Sequence, residues 1–183
     1  GRARMGRRLG PGGGHARGSN GKSRRIGPDD YAWSVPSVDD QTVADVYSRY
    51  RRRLFASNAV DFDDMLMLTV DVLQRFPEAR AKWAKAFRYV MVDEYQDTNH
   101  AQYVLLKLLA GEHQNLMAVG DPDQSIYAFR GADIRNILEF ERDFPNTKVI
   151  PPEQNYRSPN TILQAANNVI SHNRGRKEKS RWS

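Results

Sequence analysis

Apolar positions recur at helical spacing through the first half of the chain and gather into short unbroken runs in the second. Val43, Val46, Tyr47, Tyr50 and Leu54 fall on one side of a helix, which Ser37 and Asp40, three residues apart, would open as a capping box. Asp61 can cap a second helix with Met65, Leu66, Leu68, Val72 and Leu73 as its apolar face. Pro77 stops that helix and opens a short third one running to Phe87. The period then changes. "YVMVDE" (89–94), "NLMAVGD" (115–121) and "TKVI" (147–150) are continuous apolar runs of strand length. Helical patterns lie between and after them: Ala101 to Leu109, Asp133 to Phe144, and a last helix from Ser158 with Pro159 in its first turn, continuing through Ile162, Leu163, Ala166 and Val169. Short strands that do not alternate, separated by helices, predict an α/β fold: a parallel sheet covered on both faces, preceded by a helical segment. Ligands of such sheets bind at the carboxyl ends of the strands, which here read "VDEYQD" and "GDPDQ". The sequence has no internal repeat.

Composition divides the chain further. Residues 1–28 hold nine of the thirteen glycines, eight basic residues and no acid. Such a segment cannot bury enough surface to offset its ordering entropy and is expected to be a disordered basic tail. The expected order is therefore this tail, a helical segment at 29–87, an α/β segment at 88–173, and a basic end at 174–183. The formal charge of +6 is misleading as a whole, because the two ends carry it and the body between them is acidic. Basic ends can hold nucleic-acid phosphates or be solvated tails. With no cysteine there is no disulfide framework or thiolate metal site. No apolar run approaches the ~20 residues of a membrane span, and the basic start lacks the apolar core of a secretory signal. A soluble cytoplasmic protein with no membrane association is expected.

Three stretches could carry chemistry. Asp93 and Glu94 follow a buried run; adjacent acids on an extended chain point to different sides, so one can face a metal while the other faces a reacting phosphate. The same pair could simply cap a helix. In "GDPDQSIYAFRGAD" (120–133), Gly120 and Pro122 shape a turn, and Gln124 can donate and accept. Tyr127 and Phe129 alternate and could stack on bases, or be core, and Arg130 adds a fixed charge. "EQNYRS" (153–158) offers the Tyr156 ring and the Arg157 guanidinium before a helix start, where an anion is favoured, or else an ordinary cap by Ser158. A fourth stretch, "ARGSNGKS" (16–23), fits a relaxed phosphate-loop pattern with Lys22 and Ser23 on the phosphates. A working loop of that kind joins a buried strand to a helix. Here "GRRLGPGGGH" precedes it and Gly27-Pro28 comes after it, so it reads as a decoy.

Taken together and in order, "VMVDEYQDTNHAQY", "VGDPDQSIYAFRGAD" and "EQNYRS" resemble helicase motifs II, III and IV of the UvrD/PcrA/Rep family, the superfamily 1 DNA helicases. "AVDFDDMLMLTV" resembles the segment upstream of motif II, and "GSNGKSRRIGPDDY" is similar to the family's linker after its accessory helices. The resemblance runs from about Ser19 to the end and is strongest over 59–173. It implies part of a RecA-like P-loop NTPase lobe using ATP and Mg²⁺. Asp93 would coordinate the magnesium, and Glu94 would orient the attacking water. Gln124, Arg130 and Arg157 would contact the γ-phosphate, Tyr156 would stack near adenine, and Asp97 would belong to the nucleotide site. Tyr127 and Phe129 would line a single-stranded DNA path. Phe129 stands where the family often has Trp, and "VIPPEQ" places two prolines at a strand end, which departs from the pattern.

The family's enzymes are several times longer, with ATP between two lobes, so the resemblance implies a truncated ATP-dependent 3′-to-5′ DNA helicase acting in repair or replication. Its partners would be single-stranded or partly duplex DNA and, in one version, a companion polypeptide supplying the missing lobes. The isolated chain is expected to hydrolyse ATP weakly or not at all. The alternatives are a non-catalytic single-stranded-DNA-binding fragment and an inactive remnant.

Overall fold

The computed structural model describes residues 38–125, 131–151 and 154–172. The helical segment contains α1 (Val38–Ala56), α2 (Phe62–Arg75) and α3 (Pro77–Ala86). Then come β1 (Val90–Val92), a 3₁₀ turn over Tyr95–Asp97, α4 (His100–Ala110), β2 (Leu116–Ala118) and a second 3₁₀ turn over Pro122–Gln124. Two one-turn helices, α5 (Arg135–Leu138) and α6 (Phe140–Asp143), and a last helix, α7 (Asn160–Ile170), complete the order. The class is mixed α/β, as the sequence pattern predicts, but the expected cover on both sheet faces is not seen: among the described residues the sheet has two strands, and Met91 and Met117 are exposed. The tails at 1–28 and 174–183, the cap at Ser37, and the "ARGSNGKS" stretch lie outside the described residues.

Local chemistry sets the helix boundaries. Asp61 caps α2, its Oδ1 accepting the Asp64 N–H at 2.8 Å. Pro77 opens α3 at its first turn. Asn99 and Gln102 form a full capping box on α4. In α2 the buried line is Asp64, Met67, Val70 and Leu73, because α2 lies against both α3 and α4. The expected face was different: Met65 and Val72 are about half exposed. In α1 the buried residues are Val43, Ala44 and Tyr47, while Val46 and Tyr50 face outward and the Tyr50 hydroxyl pairs with Asp61. Both helices are apolar on more than one side, so the tertiary partner, not the period, decides which side is covered.

β1 and β2 pair in parallel, with Val90 opposite Leu116, Met91 opposite Met117 and Val92 opposite Ala118. α4 is the crossover between them and packs on β1. The expected third strand does not form: 147–150 carries no strand pairing, and Val149 and Ile150 are exposed. Pro151 supplies no N–H and disfavours continuation at this point. The helix expected over Asp133–Phe144 is broken at Glu139, whose ψ of 5° interrupts the ladder. Beyond the break, Phe140 meets the Tyr95 ring edge-on at 5.2 Å and Phe144 at 4.9 Å. α7 begins at Asn160 with Pro159 as its cap residue, so Ser158 is not the cap. Among the described residues no helix is long and apolar enough to cross a membrane.

Leu73→Ala should lower stability by about 2–5 kcal/mol, whereas Val72→Ala on the open side of the same helix should change it by less than about 0.5 kcal/mol. Urea denaturation midpoints of the two variants measure the difference. Equal losses would place the covered face of α2 elsewhere.

Candidate functional site

The site grows from the carboxyl ends of the two strands. The parallel ladder continues past them: Val119 N–H donates to the Val92 carbonyl at 2.8 Å, and Tyr95 N–H to the Val119 carbonyl at 2.9 Å. Between these bonds the chain turns at Glu94, which adopts the left-handed conformation (φ 49°, ψ 43°). A non-glycine residue there costs roughly 1–2 kcal/mol, a feature that clusters at functional sites. This turn corrects the expectation for the acid pair. Asp93 and Glu94 are both exposed, but the direction of Glu94 is set by the turn and not by strand alternation. Asp93 Oδ1 accepts the Glu94 N–H at 2.9 Å.

The next residue but one organises the surroundings. Gln96 is 1% exposed. Its Nε2 donates to Glu94 Oε2 at 2.7 Å and to Asp97 Oδ2 at 3.4 Å, and its Oε1 accepts the Asp121 N–H at 2.9 Å. Asp121, also buried, accepts from Asp123 N–H at 3.0 Å and from Gln124 Nε2 at 2.9 Å. Gly120 makes this approach feasible. A Cβ there would lie 2.8 Å from both Gln96 Oε1 and Ile137 Cδ1, closer than van der Waals contact allows.

The far end of the 121–133 stretch returns to the same place. Asn99 and Ala132 form an antiparallel bridge, Asp133 N–H donates to the Thr98 carbonyl at 3.0 Å, and the buried Asn136 Nδ2 donates to that carbonyl at 3.0 Å and to Thr98 Oγ1 at 3.2 Å. Residues 94–99 thus hold both ends of this stretch. Tyr127, Phe129 and Arg130 lie outside the described residues.

Gln124 shares an open groove of about 570 Å³ with Gln154, Asn155, Tyr156 and Arg157. Asn155 Oδ1 accepts both the Arg157 and Ser158 N–H groups at 2.8 Å, an Asx turn that sets Tyr156 and Arg157 side by side on the rim. Tyr156 is largely exposed, its hydroxyl donating to Gln154 Oε1 at 2.8 Å. The structure therefore brings Gln124, Tyr156 and Arg157 together. It links Glu94 to them through Gln96 and Asp121, while Asp93, Glu94 and Asp97 lie outside the groove's lining. The sequence reading missed Gln96, Asp121 and Asn155. Each is a polar residue inside a stretch already singled out, and burial or turn geometry gives it its role.

Among the described residues no three metal-ligating side chains cluster. A magnesium ion asks for no such cluster, since one or two carboxylates, phosphate oxygens and water suffice.

Beneath the site, burial pushes the Tyr95 phenol up from 10.0 to about 12, with Tyr103 and Asp143 adding to the rise. Its hydroxyl is buried with no hydrogen-bond partner among the described residues.

Fold and site together define an α/β domain with carboxylates and amides gathered at the carboxyl ends of parallel strands. The family described as the UvrD/REP helicase N-terminal domain matches residues 18–145, and the chain belongs to that family. It is 50% identical over 165 residues to the ATP-dependent DNA helicase PcrA of Leuconostoc citreum, covering 90% of this chain and 22% of that protein. It is 54% identical over 175 residues to the ATP-dependent DNA helicase UvrD1 of Mycobacterium tuberculosis (strain ATCC 25618 / H37Rv), covering 90% and 23%. It is 49% identical over 165 residues to PcrA of Bacillus subtilis, covering 90% and 22%. The chain spans less than a quarter of the length of these curated relatives.

The buried contacts can be tested at two positions. Gly120→Ala should cost about 1–3 kcal/mol by forcing Gln96 or Ile137 aside, read as a lowered urea midpoint; an unchanged midpoint would contradict the close approach. Native Tyr95 holds its proton more tightly than an unfolded tyrosine. The stability this contributes is complete below pH 10.0 and is lost as pH rises towards about 12. Tyr95→Phe should leave neutral-pH stability unchanged or slightly raised, because the hydroxyl has no partner. It should also reduce the alkaline loss between pH 10.0 and about 12.

Proposed function

We propose that this chain carries part of the ATP-hydrolysis and DNA-contact machinery of a UvrD/PcrA-type 3′-to-5′ DNA helicase acting in repair or replication. The observation that carries the reading is the hydrogen-bonded connection from Glu94, after β1, to Gln124, after β2, in a groove shared with Tyr156 and Arg157. A RecA-like lobe would place these residues at the carboxyl ends of its strands, where nucleotides bind.

The residues fit MgATP in named roles. Asp93 is exposed and, among the described residues, gives only one carboxylate oxygen to a hydrogen bond, so it can hold magnesium. A magnesium ion held by Asp93 would supply charge neutralisation for a bound nucleotide's phosphates. Glu94, fixed by Gln96, orients a water against the γ-phosphate. Gln124 donates or accepts at the phosphate edge, and Arg157 neutralises charge there. Tyr156 presents a ring face for adenine, and Asp97 flanks the acid pair. Arg130 would add a second guanidinium, and Tyr127 and Phe129 a stacking surface for single-stranded DNA.

A second reading rests on the charge distribution alone: the basic ends hold single strands without nucleotide. DNA affinity that falls steeply with salt and ignores nucleotide would favour it.

Magnesium–ATP titrated into the purified chain should shift resonances of Glu94, Gln124, Tyr156 and Arg157, with weak affinity and little or no turnover, with or without single-stranded DNA. Arg157→Ala should weaken binding roughly tenfold, the worth of one charge-assisted hydrogen bond. Asp93→Ala should remove the magnesium dependence. Shifts confined to other regions, or binding indifferent to both substitutions, would overturn the reading. Robust turnover abolished by Lys22→Ala would make "ARGSNGKS" the phosphate loop after all.

A further inference from the structure

A side-chain amide buried as completely as that of Gln96 has one satisfied orientation here. Oε1 faces an N–H, which only donates, and Nε2 faces a carboxylate, which when ionised only accepts. Flipping the amide would set Nε2 against the Asp121 N–H and Oε1 against Glu94, two repulsive contacts in a buried space. Fixing either neighbour therefore fixes the other. Asp121 extends the constraint, because its two oxygens are divided between the Asp123 N–H and Gln124 Nε2.

Building on the nucleotide-site reading above, we infer that Gln96 is a positioning residue: its amide couples Glu94 to Gln124, so that a change at the acid pair after β1 is transmitted to the groove after β2. The transmission runs through four groups: the Glu94 carboxylate, the Gln96 amide, Asp121 and the Gln124 amide. Each step is a hydrogen bond of 2.7–2.9 Å. The backbone bond from Tyr95 to Val119 holds the two strand ends together independently of it. Loss of the amide therefore uncouples the site without separating the strands.

The test needs no nucleotide, so its result is separable from that of the binding titration. Side-chain amide resonances and backbone hydrogen exchange are recorded on the full chain. Glu94→Ala, at an exposed position, should move the Gln124 Nε2 resonance, and Gln124→Ala should move that of Gln96. In Gln96→Leu the Asp121 amide should exchange about tenfold faster while the Tyr95 amide keeps its protection, and Glu94→Ala added to it should no longer reach Gln124. Gln96→Glu keeps an oxygen for Asp121 and should restore that amide's protection without restoring the response to Glu94→Ala. A Gln124 resonance unmoved by Glu94→Ala in a folded chain would overturn the inference. So would a response that persists in Gln96→Leu. If Gln96→Leu does not fold, the reciprocal pair Glu94→Ala and Gln124→Ala still decides.

Discussion

Two strands of three residues are too short to hold a parallel pair by themselves, and the molecule solves this beyond the strand ends. The ladder is extended by Val119 to Val92 and Tyr95 to Val119, and then by the Gln96 side chain, which takes the next N–H in line, that of Asp121. The bond depends on burial. Tyr95 and Gln96 are the most enclosed large residues of the α/β part, with the Tyr95 ring seated against Phe140. It depends equally on Gly120, where any side chain would fill the space that Gln96 needs. The turn at Glu94, the buried pair Tyr95–Gln96 and the clearance at Gly120 form one device. It closes the sheet and at the same time sets two carboxylates and two amides at its carboxyl end.

Much of this was legible in the sequence. Asp61 and Pro77 act through contacts within one turn, so local pattern reveals them; the box of Asn99 with Gln102 is as local, but the sequence reading began that helix at Ala101. The unbroken runs at 89–94 and 115–121 indicated the class, and the acidic turns at their carboxyl ends indicated the location of the site. Less legible was whatever a distant partner decides. Met67 and Val70 lie inside because α3 and α4 cover that side of α2. The run at 147–150 has strand composition but no pairing among the described residues, with Pro151 directly after it. The break at Glu139 carries no proline or glycine to announce it. Gln96 was not singled out from the sequence, because a glutamine's role depends on which backbone groups surround it, and here one comes from 25 residues away.

Kinship and geometry answer different questions about this chain. Identity of about half over 90% of the chain to PcrA and UvrD1 helicases establishes kinship. It does not say how this stretch arranges its polar groups. The geometry supplies that: an exposed Asp93, a Glu94 held by a buried amide, and a Gln124 beside Tyr156 and Arg157 on a groove rim. Polar groups held this way would need little reorganisation if charge developed beside them, which is where preorganised sites gain most.

The most direct measurement is an experimental structure of the chain with magnesium and a non-hydrolysable ATP analogue. The account predicts the metal on Asp93 and the γ-phosphate within hydrogen-bonding reach of Gln124 and Arg157, with the Gln96 amide unflipped between Glu94 and Asp121. A nucleotide bound away from the strand ends, with Lys22 and Ser23 on its phosphates, would contradict it.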